Sequence, residues 1–313
     1  MGRRFWNSGG ALFSRPNEPA RLMDKALNAR TSKRPDVYEA LSGPRWIACR
    51  NRALHDAART RPVVYERRIV TNIVLLNNVD HQDLTVATGH GPEFGDAVNQ
   101  VLVFSTEWQD LQREYPILFR RSEEGRFQSV ALVGLDRDEN LFLGDGVWHA
   151  RYVPALHQRG PFSIGLTRAE DGSEAEPMVH VDLDSPRITA RGEGVPGQIV
   201  FLPHGGNSPY LDAVSDVLGR IHDGVIANDP MFDAFQVEGL IEPVALEIFL
   251  DETNKYTLDD LYTISAERLA ALDGEALARL HAPGFLQLAF FAIASLGTVS
   301  RLIELKTSRL AAR

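Results

Sequence analysis

The apolar residues of this 313-residue chain change their spacing near residue 200. Before that point, β-branched segments such as "IVTNIVLLNNV" from Ile69 and "FQSVALVGL" from Phe127 alternate with turn-rich stretches, a pattern typical of strands. After it, Ser208 and Pro209 form a helix start, and apolar residues recur every three or four positions: Leu211, Val214, Leu218, Ile221 and Val225. The sequence therefore predicts an α+β fold, a strand-rich N-terminal half packed with a mainly helical C-terminal half.

Two segments of the C-terminal half refine this prediction. "VALEIFLDETNKYTLDDLYTI" (244–264) interrupts the helical pattern and predicts a β-hairpin. "FLQLAFFAIASL" (285–296) is the longest apolar stretch, but its 12 residues include Gln287 and fall short of the roughly 20 that cross a bilayer. We therefore expect no membrane span, and a terminal helix that is apolar and buried on every side.

The charges divide the chain near residue 68. Residues 1–68 hold 15 Lys or Arg and 6 Asp or Glu, a net charge of +9. Because the whole chain has a net charge of −9, the remaining residues have a net charge of −18. We expect 1–68 to be a basic, loosely ordered extension or, alternatively, an arm for an anionic partner. Residues 69–313 are expected to form one α+β domain, whose acidity argues against nucleic acid as its ligand.

Cysteine content and the first residues bear on the cellular compartment. Cys49 is the single cysteine, so the chain forms no intrachain disulfide and no thiolate-based zinc site, as in proteins of reducing compartments. The start, "MGRRFWNSGGALFSR", is basic but lacks the apolar run of a signal peptide. We expect a cytoplasmic protein.

Several segments carry a family resemblance: "EYPILFRR", "VALVGLDRDENLFLGDGVWHARYVPALHQRGPFSIGL", "VHVDLDSPRI" and the tail from "YTLDDLYTISAERLAAL" to "SLGTVSRL". In order and spacing they cover roughly residues 69–304 and resemble the SapC family of bacterial proteins. That family takes its name from a surface-layer gene locus, and its members often sit beside halogenase-like and cupin-like proteins. The resemblance implies a SapC-like domain but supplies no catalytic residues. Since no export signal is visible, an accessory factor is favoured over a coat subunit.

The stretch "VHVDLDSPRI" (179–188) has two interpretations. On a strand, His180, Asp182 and Asp184 share one face, and the apolar residues between them share the other, as in a half-exposed strand. His-x-Asp also begins the two-histidine, one-carboxylate triad of non-heme iron, for which His204 is the best distal histidine. Those oxygenases place the triad in a jelly-roll barrel, whereas this chain is mainly helical after residue 195. We therefore predict a solvated strand face and no metal, with His180, Asp182 and His204 as the alternative metal site.

The stretch "GDGVWHARY" (144–152) suggests a ligand-binding surface. Asp145 between two glycines predicts a turn. Trp148, Arg151 and Tyr152 after it are candidates for a groove that stacks on or clamps a peptide, although the pattern favours the other interpretation given next. The alternative is an aromatic residue packed at the base of a hairpin.

These observations favour a non-enzymatic function. We predict a SapC-like cytoplasmic accessory protein, without a cofactor, that binds a peptide or protein partner in a cell-envelope or peptide-modification pathway. The alternative is a metal-dependent oxygenase or hydrolase that uses His180, Asp182 and a distal histidine.

Overall fold

The computed structural model of this chain describes residues 72–167, 176–190, 197–251 and 254–312. The basic extension predicted for residues 1–68, with Cys49, lies outside these ranges. All of the described residues belong to one compact unit.

The described residues form thirteen strands and seven α-helices. The strands are β1 (Ile73–Leu75), β2 (Leu84–Val86), β3 (Gln100–Val103), β4 (Ile117–Arg121), β5 (Phe127–Leu132), β6 (Leu143–Gly144), β7 (Val147–Trp148), β8 (Phe162–Thr167), β9 (Glu176–Asp182), β10 (Ile188–Ala190), β11 (Gln198–Ile199), β12 (Ile241–Phe249) and β13 (Lys255–Ile264). The helices are α1 (Trp108–Leu111), α2 (Ala155–Gln158), α3 (Pro209–Val237), α4 (Ala266–Ala270), α5 (Gly274–His281), α6 (Phe285–Ser295) and α7 (Val299–Ala311). Strands dominate up to residue 199 and helices after it, which confirms the predicted α+β class.

The largest sheet combines strands from both halves of the chain. Its order is β12-β13-β4-β5-β3, and all of its neighbouring pairs are antiparallel. The predicted hairpin is β12 and β13, and Tyr262 of β13 pairs with Phe119 of β4. Phe119 and Phe127 of this sheet pack against Phe232 of α3. The large sheet and the C-terminal helices therefore share one hydrophobic core.

The long helix α3 connects this core to a second one. Ser208 caps it as predicted, since its hydroxyl accepts a hydrogen bond from the Leu211 N–H, and the helix continues through Pro230 for 29 residues. Its first turns bury Leu211, Val214 and Leu218 against two small three-stranded sheets, β1-β9-β8 and β10-β2-β11. The segments that follow β2 and β9 carry three residues of the polar cluster described below: His90, Asp96 and Arg187.

The terminal helical run differs from the prediction of burial on every side. Only one stripe is buried: Phe285, Ala289, Ala292, Ser295, Leu302 and Lys306. Phe290 is 55% exposed, because the run packs on the large sheet with a single face. By length and composition alone, Phe285–Ala311 is also long and apolar enough to cross a membrane.

Candidate functional site

A buried carboxylate, Asp96, lies at the centre of the most polar part of the interior. A short 3₁₀ helix, Pro92–Phe94, places it, and Gly95 ends that helix in the left-handed conformation with φ 79°. Asp96 is 1% exposed. Its carboxylate accepts hydrogen bonds from Nδ1 of His157 at 2.7 Å, from Nδ1 of His90 at 3.1 Å and from the N–H of Gly91 at 3.0 Å.

Arg187 supplies the positive charge that this buried carboxylate requires. Its Nη2 donates to both Asp96 oxygens, at 3.0 and 3.3 Å, and its Nη1 donates to the carbonyls of Ala87 and Gly89. The guanidinium also lies over the Phe94 ring, 4.3 Å from the centroid. We call His90, Asp96, His157 and Arg187 the histidine–aspartate cluster.

The charge state of Asp96 determines which ring nitrogens of the histidines carry protons. Burial by itself raises the pKa of Asp96, but the hydrogen bonds from His157 and His90 and the charge of Arg187 outweigh it and hold that pKa well below its usual range. An ionised carboxylate only accepts hydrogen bonds, so both histidines donate from Nδ1. In their neutral forms, both therefore carry the proton on Nδ1 and an acceptor electron pair on Nε2.

Trp148 forms the wall against which both imidazoles pack. Its indole centroid lies 5.6 Å from the His90 ring and 5.0 Å from the His157 ring. Its Nε1–H donates to the hydroxyl of Tyr115 at 2.8 Å, and that hydroxyl donates to the backbone carbonyl of Tyr152 at 2.6 Å. Trp148 is 4% exposed and thus belongs to the hairpin base rather than to an open groove.

Tyr152 belongs to a different polar group, centred on the buried carboxylate of Glu107. Glu107 accepts hydrogen bonds from the Tyr152 hydroxyl at 3.0 Å and from the N–H groups of Ala155 and Phe104. Burial raises the pKa of Glu107, although these hydrogen bonds and the charge of Arg220 lower it. Tyr152 therefore fixes the loop that precedes α2.

Arg151 points to an open cleft, which we call the arginine cleft. The cleft has a volume of about 620 Å³. Its lining consists of Arg113, Glu114, His149, Ala150, Arg151 and Arg301. The Glu114 carboxylate accepts the backbone N–H of Arg151 at 3.0 and 3.1 Å, which holds the Arg151 backbone at the wall of the cleft. The residues that line this cleft thus include three arginines and one glutamate.

The three candidate residues, Trp148, Arg151 and Tyr152, lie within five positions of the sequence. Their side chains nevertheless lie in three different environments. Trp148 packs on the two histidines, Arg151 lines the cleft, and Tyr152 donates to Glu107. Of the three, only Arg151 is placed to meet a ligand in the cleft.

The alternative metal residues lie on the β9 strand and in a separate loop. Nδ1 of His180 bonds the Met178 carbonyl at 3.1 Å, and the Asp182 carboxylate accepts the N–H of Asp184 at 3.1 Å. β9 ends at Asp182, so Asp184 lies in the turn that follows, and His204 is exposed in the loop before α3. Within the described ranges, no three His, Cys, Asp or Glu side chains are grouped as metal ligands.

The sequence reasoning missed all four members of the histidine–aspartate cluster. Arg187 lay inside the stretch that we considered for its histidine, but neither spacing nor periodicity relates it to Asp96, which is 91 residues away. A weak signal was present in "GHGPEFGD" (89–96), where a histidine and an aspartate lie among turn residues.

The fold and these features define the class as an α+β protein with a buried histidine–aspartate cluster and an arginine-lined cleft. The family model described as SapC matches residues 76–302 of the chain. Because this match spans most of the sequence, the chain belongs to the SapC family, as the resemblance indicated. Comparison with the curated proteins and with the solved structures gives no match.

Proposed function

We propose that this SapC-family protein binds an acidic segment of a peptide or protein partner in the arginine cleft. The observation that carries the proposal is the guanidinium of Arg151. It lines the cleft, and within the described part of the chain it makes no hydrogen bond or ion pair with any other group. A guanidinium in that condition is available to a carboxylate of a ligand.

The other two arginines of the cleft are also weakly engaged. Arg113 lies 3.8 Å from Asp110 in an exposed ion pair, a type worth about 0–1 kcal/mol. The Arg301 guanidinium lies 6.0 Å from the centre of the Phe142 ring, at the limit of a cation–π contact. Both groups can therefore turn to a ligand at little cost.

The charge of the surrounding chain makes this cleft selective. Residues 69–313 carry a net charge of −18, so an acidic partner is repelled elsewhere and attracted here. A cleft of about 620 Å³ is large enough for a few side chains of an extended peptide.

A direct binding measurement tests the proposal. Fluorescence anisotropy compares a labelled hexaglutamate peptide with a hexaglutamine peptide of the same length. We expect binding of hexaglutamate only, weakened by salt. Arg151→Gln and Arg301→Gln together should weaken it by about tenfold or more, because each removes a charge-assisted contact.

Lys255→Gln combined with Arg137→Gln is the matched control, since this double variant also removes two positive charges, both outside the cleft. Its affinity should remain near that of the unchanged protein. Equal binding of the two peptides, or equal binding by the double arginine variant, would contradict the proposal.

We further propose that this binding takes place in the cytoplasm, in a cell-envelope or peptide-modification pathway. Support comes from the single cysteine and from what the family resemblance implies about its genomic neighbours. Fractionation of the native cell tests it: recovery mainly from the outer surface or the membrane fraction would contradict it.

A further inference from the structure

The strand β12 lies at one end of the five-stranded sheet. It pairs with β13 on one side, and no described strand pairs with its other side. Between Val244 and Leu246 the register with β13 shifts by one residue. The extra residue belongs to β13, near Asp260, whose φ is 59°, so β12 itself stays regular. We call the unpaired side of residues 245–249 the β12 edge.

The backbone hydrogen bonds show which residues point to this edge. In an antiparallel pair, successive residues point their N–H and C=O groups alternately toward the partner strand and away from it. The Leu250 N–H donates to the Asn254 carbonyl across the hairpin. At the other end of the strand, the Leu240 carbonyl accepts the Ser265 N–H. Even-numbered residues of β12 therefore point to β13, and odd-numbered residues point to the edge.

Ala245, Glu247 and Phe249 thus present their N–H and C=O groups at the β12 edge. No described residue outside the hairpin donates to these groups or accepts from them. The side chains of the three residues share the exposed face of the strand, and Phe249 is 63% exposed. Pro243, just before them, has no N–H and limits an added strand to residues 245–249. Such a row of unpaired backbone groups is a template for one more strand.

The side chains beside this edge are mainly acidic. Glu247 belongs to β12, and Asp259 and Asp260 lie at the bulge of β13. All three are exposed, and within the described ranges none of them forms an ion pair or a side-chain hydrogen bond. Lys255 lies at the far end, 5.6 Å from the centre of the Phe249 ring. The excess of negative charge attracts a basic strand and opposes the pairing of two copies of this edge.

We propose that the β12 edge binds an extended, basic segment of a partner protein, which adds a sixth strand to the large sheet. Lysine or arginine side chains of that segment face Glu247 and the β13 bulge, and an apolar side chain covers Phe249. This inference is independent of the acidic-partner proposal, because it uses none of the residues of the arginine cleft.

Fluorescence anisotropy on the full chain tests it with three labelled heptapeptides. One alternates lysine with valine, one alternates glutamine with valine, and one alternates lysine with proline. The glutamine peptide lacks the charge, and the proline peptide keeps the charge but cannot pair as a strand. The lysine–valine peptide should bind about tenfold or more tightly than either of the others. Equal binding of the lysine–valine and lysine–proline peptides would overturn the proposal, since charge alone would then explain it.

Two variants separate the backbone from the charge. Ala245→Pro removes an N–H from the edge and keeps every carboxylate, so it should weaken the lysine–valine peptide about tenfold or more. Glu247→Gln keeps the backbone and should weaken that peptide several-fold, which covers the case in which Ala245→Pro fails to fold. Glu304→Gln, an exposed change on α7, is the matched control and should leave binding unchanged.

Three further results would overturn the proposal. The first is that none of the peptides binds. The second is unchanged binding of the lysine–valine peptide in either edge variant, or an equal loss in Glu304→Gln. The third is a dimer of the unchanged chain in sedimentation that Ala245→Pro abolishes, because a second copy would then occupy the edge.

Discussion

Nδ1 of His157 donates to the carboxylate of Asp96 across 2.7 Å, although the two residues are 61 positions apart. The same carboxylate binds His90 and Gly91 from the preceding loop and Arg187 from the turn after β9. One buried side chain thus holds together three separate segments of the chain. The hydrogen bonds of Asp96 therefore stabilise the fold and also fix the orientation of the two imidazoles.

Asp96→Asn tests how much stability this carboxylate contributes. The amide keeps the size of the side chain but loses the charge that balances Arg187, so a buried guanidinium is left without its counter-ion. We expect a loss of about 3–5 kcal/mol in the free energy of unfolding, measured with urea. Asp216→Asn, an exposed change on α3, should alter that free energy by less than about 0.5 kcal/mol. Similar values for the two variants would show that Asp96 is not structurally important.

The lowered pKa of Asp96 predicts a pH dependence with a definite sign. Because the folded pKa lies below the ordinary value of 3.8, the carboxylate stabilises the fold fully above that pH and loses its effect as the pH falls below it. The raised pKa of Glu107 acts with the opposite sign but is present in both proteins, so it cancels from their difference.

The measurement is the free energy of unfolding of the unchanged protein minus that of Asp96→Asn, followed from neutral pH into the acid range. We expect a constant difference at neutral pH that declines below pH 3.8, by up to about 1.4 kcal/mol per pH unit. A difference that grows on acidification would contradict the assigned ionisation.

Two glycines of α3 provide a matched pair for the packing of the helix. A Cβ at Gly224 would overlap the Phe104 side chain and lie 3.0 Å from Oγ1 of Thr106, whereas a Cβ at Gly219 would meet no atom within 4 Å. Gly219→Ala should stabilise the protein by about 0.5–1 kcal/mol, since alanine is the better helix former. Gly224→Ala should destabilise it by about 1–3 kcal/mol through the overlap. Thermal melting of both variants decides: two shifts of the same sign would show that Phe104 does not pack as described.

The local pattern of the chain predicts a large part of this fold. The Ser208–Pro209 start of α3 and the hairpin of β12 and β13 follow from capping chemistry and from alternation, which act between residues close in sequence. The terminal helix was predicted as an element but not in its burial. An apolar composition does not say how many sides of a helix pack against the rest of the protein, and Phe290 stays 55% exposed.

The candidate site was predictable only in part, as Trp148 shows. The residues around it in the sequence predicted a hairpin that carries an aromatic residue. Such a hairpin is consistent both with a ligand-binding groove and with an aromatic side chain packed at its base. The tertiary structure placed His90 and His157 against its ring and Tyr115 on its Nε1. Those three residues come from three other segments, so no pattern near Trp148 could distinguish the two interpretations.

The sequence by itself determined the α+β class, the main elements and the SapC family, because each depends on periodicity and on the order of short motifs along the chain. Only the tertiary structure decided which polar residues meet. Asp96, His157 and Arg187 come together because the two small sheets and α2 bring their loops to one place. Because these side chains are buried, the charge of Asp96 needs the charge of Arg187 and the hydrogen bonds of its partners. An unpaired charge in that interior would strongly destabilise the fold.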